Sequence, residues 1–175
     1  MPKILDDIMQ RRSIRRYTEE PVTREQITTL LQAAMAAPSA MNRKPWEFIV
    51  ITDPDRLQAL RWRLPAGRFN APAAIVVCGN LKRAAPAMAK DFWVLDCSAA
   101  TQNILLAATG LGLGTVWIGV YPVRLIMNLI SRLLKLPKHI SPLAVIWVGH
   151  PAQDKPPRTQ YNEANVHWES YEESS

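Results

Sequence analysis

Cysteine is scarce in this chain. The 175 residues hold only Cys78 and Cys97, with no CxxC spacing. A disulfide scaffold is excluded, and a reducing, cytoplasmic setting is the expectation. Both thiols are expected to be buried and inert. Histidine is equally sparse. His139, His150 and His167 have no metal-ligand spacing with each other or with the cysteines, so no metal site is predicted. The N-terminus turns acidic at Asp6 and Asp7 and has no apolar core, which argues against a signal peptide. There is no G-x-S-x-G elbow, no HExxH, no P-loop and no segment of paired carboxylates. An enzyme built on this sequence would draw its chemistry from a bound cofactor. Internal repeats and low-complexity segments are also absent.

What is present is ordinary for a packed protein. Hydrophobic residues make up 48% and charged residues 21%, and the length suits one compact domain spanning 1–175. The 21 basic and 15 acidic residues leave a net charge of +6. That balance suits an anionic partner: nucleic acid, an anionic membrane surface or a phosphorylated small molecule. Composition does not choose among the three. Residues 97–123 carry no charge, enough to span a bilayer, but Gly110, Gly112 and Gly114 divide the run. An Ala/Leu-rich helix precedes the glycines and a β-branched, aromatic strand follows them, so a buried helix, a turn and a buried strand are predicted.

The remaining pattern gives an α/β or α+β arrangement of about four strands and four or five helices. Helices are predicted over 3–10, 24–36, 53–63, 91–109 and 122–134, the second capped by Thr23 with Gln26 three residues on and the last opened by Pro122. Strands are predicted over 46–51, 73–78, 115–120 and 143–148. Trp46, Trp93 and Trp147 read as core. The tail from His150 carries prolines at 151, 156 and 157. Its aromatics and Val166 predict that it packs on something, with His167 inside that packing.

Two motifs stand out. Arg11-Arg12-Ser13-Ile14-Arg15-Arg16 sets four guanidiniums and a hydroxyl within six residues, a group able to bind phosphate. The same run also reads as a solvated basic face. Nucleic-acid recognition fits it less well, because it has one tyrosine and no reader module behind it. Gly110-Leu-Gly112-Leu-Gly114 mimics a dinucleotide fingerprint in the wrong order. It closes a helix and leads into a strand, so it reads as a cap and turn.

Taken together, RRSIRRY at 11–17, APSAMNRKPWEF at 37–48, DCSAATQNILLAATGLGLGTVWIG at 96–119 and GHPAQDKPPRTQYNEANVHWE at 149–169 resemble the nitroreductase family of FMN-dependent oxidoreductases. The likeness runs in order over nearly the whole chain and fits the family's small, compact members. It implies an α+β fold, with a central, mainly antiparallel sheet flanked by helices. It also implies an intertwined homodimer whose two FMN sites are each built from both subunits. Arg11, Arg12 and Ser13 match the family's phosphate and ribityl ligands, and Arg15 matches the basic residue near flavin N1 and O2. Pro38, Ser39, Ala40 and Asn42 match the loop that reaches the flavin from the other subunit. Trp117, Ile118 and Gly119 match the backbone segment beside the ring, and Arg158 matches a tail residue that returns to the phosphate. No residue between Leu64 and Asn70 is assigned. Lys44 stands where the family usually carries Gln, and Gln160 where a second basic residue is common.

The implied activity is ping-pong transfer of hydride from NAD(P)H through FMN to nitroaromatic, quinone or similar acceptors, with no protein acid or base required. Neither a nucleic acid nor a membrane partner is expected. The alternatives are a basic nucleic-acid-binding protein and a flavin-binding module without turnover, both on the same fold. The short chain leaves little room for the lids of flavin-destroying or dehalogenating relatives.

Overall fold

Four strands form one fully antiparallel sheet in a computed structural model that describes residues 2–171. Along the chain the elements are α1 (Lys3–Gln10), α2 (Arg24–Met35), β1 (Trp46–Ile51), α3 (Pro54–Arg61), β2 (Ala73–Asn80), α4 (Phe92–Gly110), β3 (Gly114–Gly119), α5 (Arg124–Leu133) and β4 (Ile140–Gly149). The strand order is β1-β2-β4-β3, which puts the two most apolar segments at the centre. A central strand covered on both faces reads as an unbroken apolar run, as AAIVVC and LAVIWV do here.

Side-chain alternation sends the two faces into two cores. Ala73, Ile75 and Val77 of β2, with Ala144, Ile146 and Val148 of β4, pack beneath α2 and α4. Ala74, Val76 and Cys78, with Val145 and Trp147, pack beneath α3 and α5. Ile14 and Tyr17, from the basic run, belong to this second core. Leu60, Leu64 and Trp147 are fully buried there, each contributing about 1.5–3 kcal/mol of transfer energy. The three tryptophans read as core are all buried.

Local signals set the element ends. The Thr23 hydroxyl accepts from Gln26 N–H at 3.1 Å while the Gln26 side chain accepts from Thr23 N–H at 2.8 Å, a complete capping box. Asp53 caps α3 at 2.9 Å, with Pro54 in the first turn. The glycine triplet is a turn, as its order implied: α4 stops at Gly110, Gly112 takes φ +72°, and β3 starts at Gly114.

Three expectations change. Pro122 does not open α5: the helix starts at Arg124, with Val123 at its N-cap. The helix over 92–110 is buried on one side only, and Phe92 and Leu95 stand exposed on the other. The tail does not bury its aromatics against its own chain: Tyr161, Trp168 and Tyr171 are all largely exposed, and His167 lies against Tyr171, with ring centroids 4.3 Å apart.

The thiols behave as read. Cys78 and Cys97 are fully buried, and burial first, then nearby Glu47 and Asp96 respectively, pushes each up to about 12. Neither forms a thiolate near neutral pH.

Candidate functional site

The basic run is fixed as a short extra strand. Past α1 the chain extends, and Ser13 bridges Thr115 in parallel at the free edge of β3. Ile14 N–H donates to Thr115 O at 2.9 Å. That approach needs Gly114, because a side-chain carbon there would stand 2.7 Å from Ile14 Cγ2. Tyr17 then anchors the far end. Its hydroxyl donates to Ile14 O at 2.6 Å, and its buried ring keeps the phenol un-ionised by desolvation. The Asn70 side chain accepts from Tyr17 N–H at 3.1 Å and donates to Tyr17 O at 2.7 Å.

The tail closes over this run. Ala152 N–H donates to Arg16 O and Arg158 N–H to Met9 O. Lys155 Nζ donates to Ser13 O at 2.7 Å, and the Arg12 guanidinium donates to Pro156 O. Arg11, Arg12, Arg15, Lys155 and Arg158 are thereby gathered. Among the described residues no carboxylate forms an ion pair with any of the five. Burial, then Arg158 and Arg12, pulls Arg11 below its ordinary value, and desolvation followed by Arg15, Arg12 and Arg158 does the same to Lys155. Two hollows open beside the cluster. One of about 390 Å³ is lined by Arg12, Gly114 and Lys155 among others, and one of about 310 Å³ by Arg11, Arg158 and Gln160 among others.

Beside the cluster runs β3. Thr115 turns its carbonyl outward to Ile14, so by the two-residue period Trp117 and Gly119 also turn their N–H groups to the free edge. A side-chain carbon at Gly119 would meet nothing within 4 Å, so this stretch of backbone is open. Ile118 points instead into the core under α3 and α5.

The second set of sequence-predicted residues lies elsewhere. Pro38, Ser39, Ala40 and Asn42 form the turn between α2 and β1. Met41, Asn42 and Lys44 all take positive φ there, which costs a non-glycine residue about 1–2 kcal/mol. Hydrogen bonds hold the shape: Lys44 N–H donates to the Ser39 hydroxyl at 2.9 Å, and Ala40 N–H to Asp96 Oδ1 at 2.8 Å. The turn leads into β1, three strands from β3, a spacing of about 14 Å. Asp96 belongs to α4, so the turn is also held to the sheet face opposite Ile14 and Tyr17. One chain therefore assembles Arg11, Arg12, Ser13, Arg15, Trp117, Ile118, Gly119 and Arg158, and keeps Pro38, Ser39, Ala40 and Asn42 apart from them.

Three residues escaped sequence reasoning. Lys155 sits in the quoted tail motif, three residues before Arg158, and only its hydrogen bond to Ser13 O reveals it. Asn70 is invisible as a contact, because its signal is a pair of backbone bonds to Tyr17. Asp96 is a buried acid in an apolar helix, which does carry a sequence signal; its Oδ2 has no partner.

The donor set fits an FMN phosphate. A monoester carries nearly two negative charges at neutral pH, and cations that form no ion pair among the described residues gain from such a ligand.

The sequence profile of the nitroreductase family matches residues 8–68 and 62–150. A Methanothermobacter thermautotrophicus protein bearing the provisional name NADH dehydrogenase/NAD(P)H nitroreductase is 41% identical over 96% of this chain and 87% of its own length. A crystal structure from Parabacteroides distasonis with the same provisional name superposes with TM-score 0.92 at 42% identity, covering 98% of this chain and 100% of that one. A Desulfovibrio desulfuricans structure, provisionally a nitroreductase and solved in complex with FMN, superposes with TM-score 0.81 at 35% identity, covering 98% and 99%.

Proposed function

The chain belongs to the nitroreductase family, and we propose that it is an FMN-dependent oxidoreductase moving hydride from NAD(P)H to nitroaromatic, quinone or similar acceptors. The observation that carries the reading is a group of five cations, none in an ion pair among the described residues although Asp154 lines the same hollow as Arg12 and Lys155, tied to the edge of β3 through Ser13. Bound FMN supplies the chemistry, accepting hydride from the nicotinamide and passing it to the acceptor. Arg11, Arg12, Lys155 and Arg158 hold its phosphate by charge-assisted bonds, and Ser13 adds a hydroxyl. Arg15 sets positive charge beside the ring, and the outward N–H groups of Trp117 and Gly119 offer it donors that need no particular side chain. No side chain has to take or give a proton during the hydride step, which suits a site without a histidine or an acid pair.

The second half of each site comes, on this reading, from another copy of the chain. The apolar surface left open on one copy supports a dimer. Phe92 and Leu95 of α4, Ile4, Leu5 and Ile8 of α1, and the tail aromatics are all exposed. Leu95→Asp should therefore yield monomers by light scattering, and those monomers should lose flavin although Leu95 is not among the residues assigned to it. A flavin-loaded monomer would refute the shared site. No helix among the described residues is long and apolar enough to cross a membrane. The cytoplasmic placement rests on two unpaired cysteines.

The visible spectrum tests the function directly. The purified protein should show an oxidised-flavin spectrum that bleaches on anaerobic addition of NADPH or NADH. A colourless protein that FMN cannot reconstitute would end the oxidoreductase reading and return the arginines to another anion, nucleic acid among them.

A further inference from the structure

A second basic place lies on the other side of the segment that Asn70 ties to the run. Gln58, Arg61, Trp62, Arg68, Phe69 and Asn70 line a hollow of about 390 Å³, with no acidic residue in the lining. Small-molecule sites are commonly about 300–1,000 Å³. Its two inner polar groups are already committed. Arg61 donates to Phe69 O at 2.7 Å and Ala71 O at 2.9 Å and lies over the Trp147 ring. Asn70 is spent on Tyr17. Arg68 is different. Its guanidinium lies 4.7 Å from the centroid of the Trp62 ring, and among the described residues no hydrogen bond or carboxylate engages it. The indole itself is 62% exposed. A guanidinium held by the face of a largely exposed indole joins the two chemistries that take an adenosine phosphate: aromatic stacking for the base and a fork of donors for the phosphate.

The place of this hollow says which adenosine phosphate. Gly67 lies against Ile118, where a side-chain carbon would stand 3.1 Å from Ile118 Cδ1. Arg68 of the hollow follows directly on Gly67, so the loop that carries it lies against the side chain of Ile118, the residue between Trp117 and Gly119. A dinucleotide with its nicotinamide at the flavin ring must lay its adenosine half on neighbouring surface.

We propose that Trp62 and Arg68 bind the adenosine end of the reducing co-substrate, Arg68 pairing with the 2′-phosphate, so that this chain prefers NADPH to NADH. The assignment rests on the oxidoreductase reading for its context. The preference follows from chemistry: the two nucleotides differ only in that phosphate, and Arg68 is the cation in the hollow with no hydrogen-bond or ion-pair partner among the described residues.

Two measurements test it. In steady-state kinetics of the flavin-loaded protein, Arg68→Glu should lower kcat/KM for NADPH relative to NADH by roughly tenfold or more, through KM, the effect of one lost charge-assisted bond. Arg56→Glu makes the same charge change by another cavity, with Ile49 and Leu134, and should leave the ratio as it is. In calorimetry, 2′-phospho-ADP-ribose should bind more tightly than ADP-ribose. Arg68→Glu should erase the difference, and Trp62→Ala should weaken both. An unchanged NADPH:NADH ratio in Arg68→Glu overturns the assignment while leaving the flavin chemistry standing. A protein that oxidises neither nucleotide refutes the oxidoreductase reading instead, and the calorimetric comparison then decides the hollow alone: equal or absent binding of the two ribose ligands overturns it.

Discussion

Arg11→Ala combined with Arg15→Ala should give a folded protein that purifies without flavin. Each arginine is assigned a charge-assisted contact, and such contacts contribute about 1.5–3 kcal/mol. Losing two weakens FMN binding by roughly a hundredfold to ten-thousandfold. The arginine side chains take little part in the cores, whose members from this run are Ile14 and Tyr17, so circular dichroism and the melting temperature should change little. The ratio of flavin to protein absorbance after gel filtration reads the result. Full occupancy in the double variant would show that the phosphate lies elsewhere. Raising the salt concentration should weaken the native protein's grip on FMN more than the variant's, because the variant has less charge left to screen.

Gly114→Val should damage the same site from the sheet side. The new side chain would meet Ile14 at 2.7–2.8 Å, and Ile14 is itself β-branched with little room to turn. Overpacking of this kind costs about 1–3 kcal/mol. The cheaper relief is for Ser13 and Ile14 to lift off Thr115, which carries the arginines with them. FMN affinity and thermal stability should therefore fall together. Gly119→Ala is the control, since its added carbon meets nothing within 4 Å, and it should keep its stability. If Gly114→Val melts early yet holds FMN at native affinity, the bridge between Ser13 and Thr115 does not position the cluster.

The sequence made the elements legible because their signals are local. AAIVVC can only be a covered strand, Thr23 and Gln26 form their box within four residues, and the glycine triplet stops a helix by its own backbone freedom. The arginines stood out by charge density, which left a phosphate site and a solvated basic face both open; the phosphate assignment came with the family resemblance. What escaped depends on contacts far apart in the chain. Lys155 joins the cluster across 142 positions, and Asn70 reaches Tyr17 across 53. Neither leaves a periodic trace. The tail aromatics stand exposed on the single chain for a related reason: an apolar segment announces that it will be covered, not by which molecule.

The β1-β2-β4-β3 order has a genetic consequence. If the arginines of one copy share each cavity with the Ser39–Asn42 turn of another, harm to the two halves does not simply add. Consider one allele lacking the arginines and a second with a broken turn. Each homodimer is dead at both cavities. A mixed dimer gathers both lesions into one cavity and leaves the other whole, so random pairing restores about a quarter of all cavities. Two inactive alleles would then rescue each other inside one cell, a complementation that a site confined to one edge of the sheet could not show.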